Sequence, residues 1–317
     1  MAATQDLTLL LDRRVAALKK AQPESSEALD VQAALIRASL SSARPPEAQS
    51  FVLPREHVAA RVRRGVPLLH EQPVRVDVHF AADLFGRLVN VLEERDDPEL
   101  RSRLEDLIAA ATGGSLEPDR LFGEAFVQHQ QHLAEVAFQA GGVDPELLAT
   151  LASQAVAPLL RAYAQRLMPL LERLDDGSVE GVAWSRGYCP VCGAWPLLAE
   201  LRGVELAQFL RCGACGSAWR SQRLFCPYCA NEDYRSLGTL TVEGEQRFRV
   251  AVCERCNGYL KVVNAFDPAP AELLGLQDAA SVHLDLAAIE RGYRRPSGTG
   301  YAIELAVAEE AWLEELG

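Results

Sequence analysis

Leu7, Leu10, Leu11, Val15 and Leu18 recur at helical spacing in the opening stretch, with Asp12, Arg13 and Arg14 between them. That pattern predicts an amphipathic helix. A second helix is predicted in "SSEALDVQAALIRASL", with Ser25 or Ser26 as its cap after Pro23. Residues 45–78 carry prolines and little periodicity, so they read as connection with a short helix over 55–64. Helical patterns resume over 81–95 and over 97–114, where Asp97 and Pro98 open the helix and Gly113 closes it. Two more follow, over 117–142 and 144–177. In the last, Leu148, Leu151, Ala155, Leu159, Tyr163, Leu167, Leu170 and Leu174 form one long apolar face, and Pro158 and Pro169 are expected to kink it. The prediction is an all-α domain ending near residues 176–177.

After Gly187 the period changes. "WPLLAELRGVELAQFL" reads as two short strands around Arg202-Gly203, and "YRSLGTLTVEGEQRFRVAV" as a second hairpin turning at Glu243-Gly244. Each hairpin is bracketed by Cys-x-x-Cys pairs: "CPVCG" (Cys189, Cys192), "CGACG" (Cys212, Cys215), "CPYCA" (Cys226, Cys229) and "CERCN" (Cys253, Cys256). The unit of knuckle, hairpin, knuckle therefore occurs twice. Two intervening residues let both sulfurs of a pair reach one ion. Gly193 and Gly216 suit the left-handed turn that follows a knuckle, Asn257 tolerates it, and Ala230 departs from the pattern.

All eight cysteines lie in these pairs. Each hairpin brings its ends together, so Cys189, Cys192, Cys212 and Cys215 are expected to share one ion, and Cys226, Cys229, Cys253 and Cys256 another. An interleaved pairing is also geometrically open. Four thiolates in a closed tetrahedral shell suit zinc, or iron in a rubredoxin-like centre. Closed shells leave no open position for catalysis, and the simplest role of the ions is to hold small ribbons together.

Composition narrows the choice further. The 317 residues are 49% hydrophobic and 24% charged, as in ordinary globular domains. The start lacks a basic segment followed by an apolar run, and no stretch approaches the roughly 18 uninterrupted apolar residues of a membrane span. The expectation is a cytoplasmic protein without stable membrane insertion. The net charge of −12 is uneven: residues 184–264 hold 10 basic and 7 acidic residues, while 265–317 hold 3 and 10. Two tetrathiolate sites would turn the only positive segment to about −1, so no electrostatic footprint for nucleic acid is expected. A nucleic-acid-binding double zinc ribbon remains the alternative, carried by Arg202, Arg211, Arg220, Arg223, Arg247 and Arg249. A thiol-disulfide oxidoreductase is a third, though such a motif needs one cysteine pair at a helix start.

Other candidates are weaker. His129 and His132, with Glu124 and Glu135 nearby, could bind metal, but read more simply as a polar helix face. His57, His70, His79 and His283 have no usable partner spacing. The acidic end "EEAWLEELG" reads as an amphipathic helix in which Trp312 packs. No nucleotide loop or hydrolase motif is present.

The blocks "CPVCGAWP", "LRCGACGSAWRSQRLFCPYC", "VCERCNGYLKVV" and "DLAAIERGYRRP" resemble the formate dehydrogenase accessory protein FdhE family, from about residue 184 to 296. Over the helical half the resemblance rests on length and general character, and beyond Pro296 no block matches. It implies a multi-domain fold: an α-helical domain (1–180), two rubredoxin-like (zinc-ribbon-like) four-cysteine modules (181–222 and 223–266), and a C-terminal helical or irregular segment (267–317). It also implies an assembly factor and not an enzyme. Such a factor acts in the cytoplasm on the catalytic subunit of respiratory formate dehydrogenase before its export. The eight cysteines are the ligands in that scheme, iron is favoured, and zinc is equally good by ligand chemistry. Trp219, Arg223, Tyr259 and Lys261 match family positions. Their simplest roles are packing: an aromatic over a knuckle and a long cation near an anionic tetrathiolate.

Overall fold

The computed structural model describes residues 2–42, 48, 52–174 and 183–306. Among the described residues, eight α-helices precede the cysteine region: α1 (Ala2–Ala21), α2 (Ser26–Ser41), α3 (Arg55–Arg64), α4 (Val78–Glu93), α5 (Pro98–Thr112), α6 (Pro118–Val127), α7 (Gln130–Gln139) and α8 (Pro145–Glu172). Aspartates begin three of them. The side chains of Asp77, Asp97 and Asp144 accept amides of the first turns of α4, α5 and α8, and proline follows directly in α5 and α8. The helix predicted over 117–142 is in fact two. Gln128 adopts a left-handed φ of 61° between α6 and α7, and both halves then pack on α8. Pro158 and Pro169 both sit inside α8. The expected domain end near 176–177 and the acidic tail with Trp312 lie outside the described residues.

The strands are β1 (Pro196–Arg202), β2 (Ala207–Cys212), β3 (Ala218–Arg220), β4 (Leu237–Leu240), β5 (Phe248–Cys253) and β6 (Gly258–Ala265). They form one six-stranded mixed sheet in the order β3-β2-β1-β6-β5-β4. Within each ribbon all neighbours are antiparallel. Between ribbons β1 and β6 run parallel, with Leu198 opposite Lys261 and Arg202 opposite Ala265. β3 and β6, the third strand of each ribbon, were not predicted. The four-residue turn 203–206 of the first hairpin puts Gly203 and Leu206 at positive φ, in place of a two-residue turn at Arg202-Gly203.

Both faces of the sheet are covered. Leu198, Tyr259 and Val263 join a core with Leu11, Val15 and Leu29 of α1 and α2 and with helices α9 (Leu274–Ala279) and α10 (Val282–Ile289). Ala199, Leu201, Leu260 and Val262 join a larger core that contains Leu148, Val156 and Leu160 of α8 and all four cysteines of the first ribbon. The ribbons therefore do have an apolar core, shared with the helices. α8 is the one described helix long and apolar enough to cross a membrane, and 67% of its apolar window is buried inside the protein.

Two buried ionic networks stand side by side on β1 and β6. Glu200, fully buried, accepts from Arg211 (2.7 and 2.8 Å), from Arg202 (2.7 and 2.9 Å) and from the Ala269 amide (3.1 Å). Lys261, 1% exposed, reaches Asp278 and Asp285 at 2.7 Å, and Arg295 bridges the same two carboxylates at 2.7 and 2.8 Å. Removing one partner of a buried pair strands the other. Glu200→Leu leaves Arg211 with no carboxylate and is expected to cost about 3–5 kcal/mol in denaturant-induced unfolding. Lys261→Met should cost clearly less, because Arg295 still neutralises both aspartates; equal costs would refute this account.

Candidate metal centres

Three of the four knuckles close by the same backbone rule. The amides of Gly193, Gly216 and Ala230 bond the carbonyls of Cys189, Cys212 and Cys226 at 3.0–3.1 Å. The amides of those three cysteines in turn bond Ala194, Ser217 and Asn231 at 2.8–2.9 Å. The residue after each pair must then turn left-handed: φ is 78° at Gly193, 74° at Gly216, 55° at Ala230 and 53° at Asn257. Ala230 thus carries the strain that glycine avoids in the first two knuckles. Amides also point at sulfur: Val191 N–H to Cys189 Sγ and Cys215 N–H to Cys212 Sγ, both at 3.4 Å.

The hairpins gather the sulfurs into two groups, Cys189, Cys192, Cys212 and Cys215, and Cys226, Cys229, Cys253 and Cys256, each with every sulfur within 4.8 Å of the rest. The interleaved alternative is therefore not the arrangement found. Across the knuckles, Cys189–Cys215 and Cys192–Cys212 are 3.5 Å apart, and Cys226–Cys256 and Cys229–Cys253 are 3.7 Å apart. A tetrahedral ion with bonds of about 2.3 Å puts its sulfurs about 3.8 Å apart, so both groups can hold a metal ion.

The electrostatics point the same way. Burial, then hydrogen bonds among the sulfurs, pushes the Cys189 thiol well up. Burial also opposes ionisation of Cys215, but hydrogen bonds from Cys189, Cys192, Cys212 and Ser217 outweigh it and bring that thiol down. In the second group burial raises Cys226. At Cys253 burial is outweighed by the Cys256 amide and the Asn231 side chain, and the thiol falls to about 7. Four thiolates gathered this closely repel one another, and a cation offsets that repulsion.

The centres differ in enclosure. All four cysteines of the first are buried, while Cys229 and Cys256 of the second are partly exposed. Two segments seal the first centre. After α3, the amides of Leu68 and Leu69 bond the knuckle carbonyls of Pro190 and Val191 at 2.8 and 3.0 Å. From the other side, Gly300 and Tyr301 donate to the Gly193 carbonyl at 3.0 and 3.1 Å. The same C-terminal strap meets the fourth knuckle, where the Arg294 amide bonds Asn257 O at 2.8 Å. The segment after α3 gave no motif in the sequence, whereas Arg294 of the strap lies in the block "DLAAIERGYRRP". The close approach also shows at Gly300, whose added Cβ would meet Tyr188 at 2.4 Å.

Of the family-matched residues, Trp219 is buried in the core of the first centre and donates to Arg186 O at 3.2 Å. Tyr259 donates to Asp285 at 2.8 Å. Lys261 pairs with aspartates and not with the thiolates expected of it. Arg223 is exposed on a groove of about 1010 Å³ beside Trp219. Two arginines proposed for a nucleic-acid face, Arg202 and Arg211, are spent on Glu200. Glu124, His129 and His132 converge, whereas Glu135 turns to Arg120 at 3.7 Å. His70 accepts the Glu304 amide at 3.2 Å, and His283 lies 3.9 Å from both Glu24 and Glu245.

No family model matches the chain. It is 26% identical over 283 residues to the protein FdhE homolog of Aquifex aeolicus, covering 88% of this chain and 90% of that one. It is 30% identical over 146 residues to protein FdhE of Escherichia coli, a match spanning 45% of this chain and 44% of that relative. The crystal structure of the FdhE protein from Pseudomonas aeruginosa shares the fold, with a TM-score of 0.53 at 22% identity over 94% of this chain and 96% of that one. These relatives bear out the resemblance read from the cysteine blocks.

The difference in enclosure has a measurable consequence. In metal-loaded protein challenged with a chelator, alkylation followed by mass spectrometry should label Cys226, Cys229, Cys253 and Cys256 before the other four. Simultaneous labelling would contradict the burial difference. Ala230→Gly should stabilise the loaded protein by about 1 kcal/mol, by relieving the left-handed alanine; a destabilised variant would show the strain to be absent.

Proposed function

We propose that this chain, FdhE-like over 88% of its length, is an accessory protein for formate dehydrogenase and not itself an enzyme. The observation that carries this reading is the pair of four-cysteine groups set in a fold shared with an FdhE protein. In the cytoplasm it engages the catalytic subunit before that subunit is exported. The helical domain is residues 1–180, the metal modules are 181–222 and 223–266, and residues 267–317 are a C-terminal helical or irregular segment. Each module ligates one ion through its four cysteines, iron by the family resemblance, with zinc equally suited to the donors. Closed four-thiolate shells support an organising role and leave no position for substrate.

The client surface we assign is the groove between the end of α8 and the β2–β3 edge. Met168, Trp184, Phe209, Trp219, Arg220 and Arg223 line it. Aromatic and arginine side chains are the residue types that anchor protein interfaces, and two of these match family positions.

Anaerobic affinity purification from the native cell, with metal measured on the same sample, tests both parts. Recovery of the formate dehydrogenase large subunit is expected, together with two cysteine-bound ions per chain. Recovery of no client, with two tightly held zinc ions, would reduce the centres to structural staples and overturn the proposal. Arg223→Glu should lower client recovery at least tenfold while the metal content stays unchanged. Undiminished recovery would move the client to another face.

A further inference from the structure

Outside the cysteine modules a third ligand cluster forms at the junction of α6 and α7. Glu124 occupies the last turn of α6. Gln128 then turns left-handed, and the His129 amide returns to the Glu124 carbonyl at 3.0 Å. That reversal folds the His129 ring back over Glu124, and α7 brings His132 to the same point one turn later. Both Nδ1 atoms meet one carboxylate oxygen, Glu124 Oε2, at 3.1 Å from His129 and 3.0 Å from His132. The two rings stand edge to face, 5.0 Å apart at 83°. Arg120, one turn before Glu124, is engaged by Gln139 and Glu135.

We propose that Glu124, His129 and His132 form a third metal site, for one divalent first-row transition ion. Imidazole nitrogen and carboxylate oxygen are the donors such ions take, and a two-histidine, one-carboxylate face leaves positions open to water. An ion about 2.1 Å from each donor, with donors at right angles, sets neighbouring donors about 3.0 Å apart. The observed nitrogen–oxygen separations meet that spacing. Coordination through Nδ1 requires each imidazole to carry its proton on Nε2. The His132 side chain is 49% exposed, so water can receive that proton's hydrogen bond and an ion can enter from solvent. The site is open and exchangeable, unlike the sealed thiolate centres.

The competing arrangement is two Nδ1–H groups donating to one carboxylate with no ion. Anaerobic titration of full-length protein, its cysteine centres already loaded, with Co²⁺ separates the two. One further equivalent is expected, with ligand-field absorption and none of the intense charge-transfer bands of cobalt thiolate. His132→Ala should abolish that equivalent, and Glu124→Gln should weaken it at least tenfold, with cysteine-bound metal and helical circular dichroism retained in both. Saturation at the cysteine centres alone would overturn the site, as would a further equivalent that survives His132→Ala. If His132→Ala loses its helical signal, His129→Gln is read by the same criteria.

Discussion

β1 lies beside β6 as a parallel neighbour, although four other strands separate them in the chain. That one pairing converts two small metal modules into a single sheet. The ribbons join head to tail, each in the order third, second, first strand. Every residue of β6 but Asn264 is buried, as expected of a strand covered on both faces. Without this seam each ribbon would be a short antiparallel piece, too small to hold a core of its own.

The seam is also where the ionic networks are sited. Glu200 and Lys261 occupy the two central strands, and the C-terminal region reaches both: the Ala269 amide joins Arg202 and Arg211 on Glu200, and Asp278 and Asp285 pair with Lys261. Buried ions confer little net stability, but they penalise every register that leaves one unpaired. The parallel register and the docking of α9 and α10 are thereby specified together. From that anchored segment the strap at Arg294, Gly300 and Tyr301 reaches one knuckle of each metal centre.

Local signals in the sequence were strong where the chemistry is local. Asp-Pro at residues 97–98 and 144–145 marks helix starts because the carboxylate cap and the missing proline amide act within one turn. The sulfur grouping was legible because a hairpin delivers its own ends to one place. The pairing of β1 with β6 was not, since nothing near Leu198 encodes a partner at Lys261. Nor was the break at Gln128, where a residue with no turn preference adopts φ of 61° so that two helices can pack on α8. Lys261 was read as a cation for thiolates because aspartates seventeen and twenty-four residues downstream are invisible to spacing arguments.

Apolar residues of the α1–α2 hairpin share a core with β5, β6, α9 and α10, while α2 also packs on α4. Its apolar stripe, Leu11, Val15 and Leu18, shares that core with Leu273, Leu276 and Leu284, far downstream in the chain. At ribosomal elongation of about 5–20 residues per second, it waits on the order of tens of seconds for its partners. Closure of this core therefore trails synthesis of the α1–α2 hairpin, and a nascent chain shortened before residue 290 emerges with that hairpin uncovered and aggregation-prone.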